Sequence, residues 1–270
     1  RLDRERWRGI VSNSTLIQKD LGAMPSKTEL TRRFASARRK AVPEDGLGGE
    51  LFAAQPHRLA RLFHLLLSKA VTSFLLPLQI RGGQIHEIYK GKGLQKLASN
   101  YRDVTIASEF AKSFGSLLRP RMLPIVEKIA GTSQFGSGLN TGATDVAHVL
   151  VRAYTDVAQL LKLSLGLLFV DLSTAFASVV RALALPTDVT DSDWRAKLLM
   201  TGFTEEEADE VIQEVHACDE WSDAGGSAHV QALITQLHIG TCAATEGLAG
   251  VLHFRSGTLA GTPAADLVFI

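Results

Sequence analysis

Asp171 closes the apolar string Phe169-Val170-Asp171-Leu172, and an aromatic residue, Phe176, follows five positions later. A carboxylate in such a string is costly to bury unless it is paired or bound to a metal. Phosphoryl-transfer sites use rigidly held carboxylate oxygens of this kind to position divalent ions, although an Asp at a turn from strand to helix is equally suited to cap that helix. Upstream, Lys90-Gly91-Lys92-Gly93 and then Arg102 put cations on a short polar stretch. Such cations can neutralise phosphate oxygens, Arg102 bidentately, and they also fit an ordinary solvated basic face. Neither this stretch nor the glycine loop at 134–142 has the GxxxxGK[ST] spacing of a P-loop. His216, Cys218, His238 and Cys242 could be assembled into a zinc site, but their H-x-C and H-x3-C spacings are not a standard pairing. No G-x-S-x-G elbow accompanies the eight histidines, and His148 and His253 read as packing or surface residues.

The elements that must position these groups follow from periodicity. Leu59, Leu62, Phe63, Leu66 and Ala70 have the spacing of one buried helix face ending before Pro77. The stretch 78–89 leans towards strand, is broken by Gly82 and Gly83, and with the segment up to Arg102 makes a hairpin candidate. Ser108 can cap a helix bearing Phe110, Phe114, Leu117 and Leu118 that Pro120 terminates, and 143–163 reads as a longer amphipathic helix. Residues 165–172 are apolar apart from Asp171 and have the length of a strand covered on both faces, so Asp171 is expected to be buried. A short helix through Val180, a capping box at Thr204 and Glu207, and a strand at 251–254 complete the series.

The chain has 29 Lys+Arg against 28 Asp+Glu over 270 residues, which suits one large or two modest domains and excludes disordered and disulfide-rich classes. Two cysteines favour a reducing compartment. The near-neutral total hides an asymmetry: residues 1–128 carry about +12 and residues 129–270 about −11. A basic front half is the electrostatic footprint of a phosphate-rich partner. The twelve acids and two bases of 188–223 read as a solvated face, with Glu205, Glu206 and Glu207 favouring a helix dipole. The opening Arg1-Leu2-Asp3-Arg4 has neither an initiator Met nor an apolar signal core, so the chain is expected to be an excerpt without a secretory segment. Charges and Pro77 interrupt the richest apolar stretch, 59–80, and no membrane span is expected.

The string Phe169-Val170-Asp171-Leu172-Ser173-Thr174-Ala175-Phe176 resembles the first palm motif of reverse transcriptases. Other blocks follow the order of the non-LTR retrotransposon class. Residues 85–93 (IHEIYKGKG) with Asn100-Tyr101-Arg102 resemble its fingers, Gln134-Phe135-Gly136 with Thr144-Asp145 is similar to the next block, and 257–269 (GTLAGTPAADLVF) resembles the palm motif centred on Gly-x-Pro. The resemblance covers 81–270. It implies an α+β fold: right-hand polymerase fingers, mostly helical with a small hairpin, leading into an incomplete antiparallel palm sheet. The corresponding division is a basic linker or lead-in at 1–57, fingers at 58–164, and a partial palm at 165–270 with an acidic insertion near 187–223.

By that resemblance Asp171 is the catalytic carboxylate and a Mg2+ ligand, the Leu172 carbonyl is a second ligand, and the Phe176 ring fills the space of a ribose 2′-hydroxyl. Lys90, Lys92 and Arg102 grip the incoming triphosphate, while Gly261 and Pro263 belong to the substrate-binding motif. Viral RNA-dependent RNA polymerases usually carry a second Asp where Phe176 stands. The implied activity is RNA-directed DNA synthesis by a two-metal mechanism, with an RNA template, a DNA primer and deoxynucleoside triphosphates as partners and with nuclear action suggested by the resemblance alone. The chain departs from the family at Ala260, commonly Gln, and at Ala265, frequently Ser. No Asp-Asp dipeptide occurs in it, so the aromatic-x-Asp-Asp turn is missing and the fragment is expected to be inactive alone. The alternative is a decayed, non-catalytic nucleic-acid-binding remnant of a retroelement.

Overall fold

The computed structural model describes residues 24–44, 46–139, 144–171, 175–178, 181, 185, 190–254, 256–258 and 261–269. Its order is α1 (Lys27–Ala35), α2 (Gly49–Ala54), α3 (Pro56–Ser73), α4 (Leu78–Arg81), β1 (Gly82–Tyr89), a 3-10 turn (Ala98–Asn100), β2 (Tyr101–Ile106), α5 (Glu109–Ile129) and α6 (Thr144–Leu160). There follow α7 (Ala175–Ser178), α8 (Asp191–Met200), α9 (Glu205–Ala217), α10 (Glu220–Asp223), α11 (Ala228–His238), β3 (Thr241–Thr245), β4 (Leu252–Phe254) and α12 (Ala265–Phe269). The chain is thus a mixed α/β structure with a four-stranded sheet of order β2-β1-β3-β4. β1 pairs antiparallel with β2 and β3 antiparallel with β4, but β1 and β3 run parallel, so the sheet is mixed rather than the antiparallel one expected. Gly82 and Gly83 begin β1 instead of breaking the stretch. A Cβ on Gly83 would lie 2.6 Å from the Ile106 carbonyl oxygen, so the close strand approach there needs glycine.

Helix α5 is the central rod. Phe110, Phe114, Leu117, Leu118, Met122, Ile125 and Val126 form its buried stripe, and Ser108 caps it by accepting from the Ala111 amide. It does not stop at Pro120 but runs through Pro120 and Pro124 to Ile129. An internal proline costs about 3 kcal/mol. Both prolines stand on the exposed side, where water can serve the carbonyls they orphan, and burial of Met122, Ile125 and Val126 beyond them outweighs the cost. The Arg121 guanidinium adds a 2.6 Å bond to the Leu117 carbonyl.

Residues read as lead-in turn out to include α1 and α2, with Leu30, Phe34 and Phe52 buried in the main core. A capping box of Ser26 and Glu29 starts α1, and ion pairs Arg121–Glu29 (2.9 Å) and Arg33–Glu109 (3.5 Å) tie it to α5. Phe34, Phe52, Phe63 and Phe110 stack edge-to-face and tilted, with centroids 4.6–5.9 Å apart. On α3 the buried face is Ala60, Leu67, Ala70 and Val71 with Leu59 and Phe63 partly covered, whereas Leu62 and Leu66 face outward.

The expected amphipathic helix forms as α6, although Ala158 alone among its residues is fully buried. The expected buried strand at 165–172 does not form. Residues 163–171 are irregular, Leu168 and Phe169 are 88% and 81% exposed, and Asp171 is exposed as well. No described residue pairs with this run, and strand length with apolar composition does not make a strand without a ladder partner. The capping box at Thr204 and Glu207 is present in full, and its hydrogen bonds hold the Glu207 carboxyl below its ordinary value. No described helix is long and apolar enough to cross a membrane.

Because Phe34 sits in the aromatic cluster, Phe34→Ala is expected to destabilise the fold by about 3–5 kcal/mol in urea unfolding. A loss below about 0.5 kcal/mol, the usual size for an uninvolved surface position, would put α1 outside the core.

Candidate functional site

The hairpin of β1 and β2 presents the basic residues at its tip. Tyr89 is opposite Tyr101 and Ile88 opposite Arg102, and the Lys90 amide continues the ladder by donating to the Asn100 carbonyl at 2.8 Å. Strand alternation places Lys90 on the face of Ile88 and Arg102. The loop is built from within: Tyr89 Oη donates to the Gly93 carbonyl, Asn100 Nδ2 to the Leu94 carbonyl and Lys90 Nζ to the Ser99 carbonyl, at 2.6, 2.8 and 2.7 Å. The side chains of Lys92 and Arg102 are exposed and make no hydrogen bond or ion pair with a described residue. A preordered loop bearing solvated cations can take up a polyphosphate without breaking internal salt bridges.

At its base the hairpin meets the Gly-x-Pro segment. Gly261 has φ +98°, and a Cβ there would stand 2.8 Å from the Thr105 carbonyl oxygen, so the approach to β2 needs glycine. Pro263 lies against Gly115 of α5, whose added Cβ would be 3.2 Å from the proline ring. Arg119 of α5 joins this segment to the glycine loop: Nη1 donates to the Pro263 carbonyl and Asp266 Oδ1, both at 2.6 Å, while Nη2 donates to Asp266 Oδ2 at 2.8 Å and the Ser137 carbonyl at 2.5 Å. Burial pushes the Asp266 carboxyl up, but hydrogen bonds from Arg119 and Ser137 and the Arg119 charge outweigh it and leave it below its ordinary value.

Phe176, on α7, packs its ring 5.5 Å from that of Phe269, and its carbonyl accepts from the Thr258 amide at 2.7 Å. The Phe176 end of the motif is thereby seated on the 257–269 segment. Asp171 itself stands in solvent, and Leu172 and Ala260 lie outside the described residues. Thr144 and Asp145 open α6 on exposed positions, and Ala265 is buried. Among the described residues no three acidic, His or Cys side chains converge as a metal group would require, so the lone Asp171 carboxylate does not by itself make a two-ion site. Of the zinc candidates, His216 pairs with Asp191 at 2.8 Å and Cys218 is exposed.

Sequence reasoning missed Arg119, Asp266, Arg181, Arg81 and the role of His238. For Arg181 the signal was available, because it is the lone charge in an apolar stretch from 172 to 187, the same feature that drew attention to Asp171. Arg181 is 8% exposed and Arg81 7%. Each donates to a carbonyl at the C-terminal end of α11, Arg181 Nη1 to His238 and Arg81 Nη1 to Ile239. Burial lowers both guanidinium pKa values, that of Arg181 to about 10. A small cavity lies between this end of α11 and the Gly-x-Pro segment, lined in part by Arg81, His238, Thr262 and Pro263.

Burial lowers the His238 pKa to about 4, with the Arg181 charge adding to the effect, and its Nδ1 is hydrogen-bonded to the Ile234 carbonyl at 2.8 Å. The unfolded chain takes up this proton near pH 6.5, whereas the folded chain does so only near pH 4. Between these values the unfolded state binds one more proton, so stability is complete above about pH 6.5 and falls as pH drops towards 4. The expected loss across the window is roughly 3 kcal/mol, and His238→Gln should flatten the slope by about one proton when urea unfolding is followed against pH. An unchanged slope would mean that His238 is not the group responsible. No protein-family model matches the chain, and no curated protein matches it.

Proposed function

We propose that the chain is the fingers and part of the palm of an RNA-directed DNA polymerase of the non-LTR retrotransposon type, whose parent activity is template-directed nucleotidyl transfer. One observation carries the reading. The Phe176 block touches the 257–269 block through Thr258 and Phe269, while the hairpin that carries 85–102 and the loop after Gln134-Phe135-Gly136 reach the 257–269 block through Thr105 beside Gly261 and through Arg119 with Ser137, Pro263 and Asp266. In this reading Lys90, Lys92 and Arg102 neutralise the triphosphate of an incoming nucleotide as its pyrophosphate leaves. The Phe176 ring takes the space a 2′-hydroxyl would need, and Gly261 and Pro263 form a wall of the substrate site. Asp171 and the Leu172 carbonyl would be ligands to Mg2+, which needs a further carboxylate beyond the one Asp171 supplies. The partners are an RNA template, a DNA primer and deoxynucleoside triphosphates.

A second reading, a remnant that binds nucleic acid without catalysis, is favoured by Ala260, where the family commonly has Gln. Both readings predict salt-sensitive binding of RNA or DNA by this chain. Lys92→Ala and Arg102→Ala should each weaken it evenly across sequences and lower the slope of log K on log salt by about one. Absence of binding even at low salt would remove both readings.

Primer extension separates them. In the parent polypeptide that the resemblance implies, Asp171→Asn should abolish extension while leaving binding intact. Extension that survives the substitution would refute the catalytic role of Asp171, and binding without extension by the unaltered parent would identify a remnant.

A further inference from the structure

We infer that Arg181 is a positioning residue that fixes Phe176 and, through it, the choice between deoxyribose and ribose substrates; the sugar-selection part rests on the polymerase reading above. Every N–H of the Arg181 guanidinium is engaged. Nε donates to the Gly257 carbonyl at 2.6 Å, Nη1 to the Phe254 carbonyl at 3.1 Å and to the His238 carbonyl, and Nη2 to the Ser256 carbonyl at 3.0 Å and Thr241 Oγ1 at 2.8 Å. No carboxylate among the described residues pairs with it. The fork therefore clamps two separate stretches, the end of β4 with Ser256 and Gly257 after it, and the end of α11 with the start of β3, to the chain that carries Phe176.

The clamp reaches Phe176 by one short step. Arg181 holds the Gly257 carbonyl, the adjoining peptide presents the buried Thr258 amide, and that amide donates to the Phe176 carbonyl at 2.7 Å. The backbone of Phe176 is thus tied at 258 and its ring rests on Phe269. A ring that excludes a single hydroxyl must be held within a fraction of its own thickness. Lysine keeps the charge at 181 but has three donors on one nitrogen and cannot span both stretches, so charge and clamping are separable by substitution.

Two measurements test this. In the chain as it stands, Arg181→Lys should speed hydrogen exchange at the Thr258 amide by roughly tenfold or more while the hairpin amides between Gln84 and Ile106 keep their protection. Thr241→Val, which removes one of the five bonds, should give a smaller increase. Wild-type protection at Thr258 in Arg181→Lys would overturn the clamp, and if Arg181→Lys also loses hairpin protection, Thr241→Val decides the same question in a folded chain. In the polymerising parent, the ratio of kcat/KM for deoxynucleotides to that for ribonucleotides should fall in Arg181→Lys towards the value for Phe176→Val. A fall in both activities with an unchanged ratio would show a merely structural arginine and overturn the positioning role. If the unaltered parent extends no primer, the polymerase reading and the sugar-selection role fall together, while the exchange result still decides the clamp.

Discussion

Arg119 holds together what the rest of the structure needs held. It projects from α5, whose buried stripe fixes its place, and its planar fork grips Asp266 through both oxygens. The same two nitrogens reach the carbonyls of Ser137 and Pro263. A bidentate pair sets direction as well as distance, so the glycine loop and the Gly-x-Pro segment are fixed relative to one helix and therefore to each other. Side-chain exposures of 28% and 31% leave the pair partly in water, which limits its energetic worth, so its contribution here is geometric. From Pro263 the constraint passes to Gly261 and the Thr105 carbonyl, and so to the hairpin that carries Lys90, Lys92 and Arg102.

A second principle governs the end of α11, where two guanidiniums are buried without a carboxylate partner among the described residues. Such burial is normally prohibitive. It is tolerated because α11 ends there: the His238 and Ile239 carbonyls carry the negative end of the helix dipole and have no partner further along the helix. Arg181 and Arg81 supply those partners, and the charge of Arg181 adds to burial in keeping His238 neutral. Carbonyl groups lack the pH dependence of carboxylates, so this junction holds its geometry through the acid range in which carboxylate pairs fail, with His238 the exception.

What the sequence disclosed was local. Ser108 and the Thr204–Glu207 box are read from three-residue spacings and occur as written. The hairpin follows from short-range turn chemistry between Tyr89 and Tyr101. Helix α6 keeps its period although most of its apolar side chains stay exposed, because periodicity reports helix formation and not what covers the helix. Tertiary effects were not legible. Pro120 reads as a stop until the packing of Met122 and Val126 beyond it is known, and the basic neighbours of Phe34 and the breaker cluster just before Phe52 conceal the aromatic cluster that they join. Within the candidate site, the exposed cations were visible by type. Arg119, Asp266 and Arg181 matter through contacts with residues more than fifty positions away, which no spacing rule contains.

The exposed run before Asp171 changes the physical basis of the chemistry assigned to that residue. Burial would force the carboxylate to be paired or metal-bound, and burial is absent, with Val170 beside it 75% exposed. In water a single carboxylate keeps its hydration and gains little from a divalent ion that itself dehydrates reluctantly. On the proposed polymerase reading, competence at Asp171 therefore requires two things together: Leu168, Phe169 and Val170 removed from water so that the carboxylate is held rigid, and a second carboxylate brought alongside. The Phe176 end of the motif is already seated through Thr258 and Phe269. On the proposed polymerase reading, the contacts already made belong to the part that would select and grip a nucleotide, and the part that would do chemistry would gain its affinity for metal from packing that covers the preceding run.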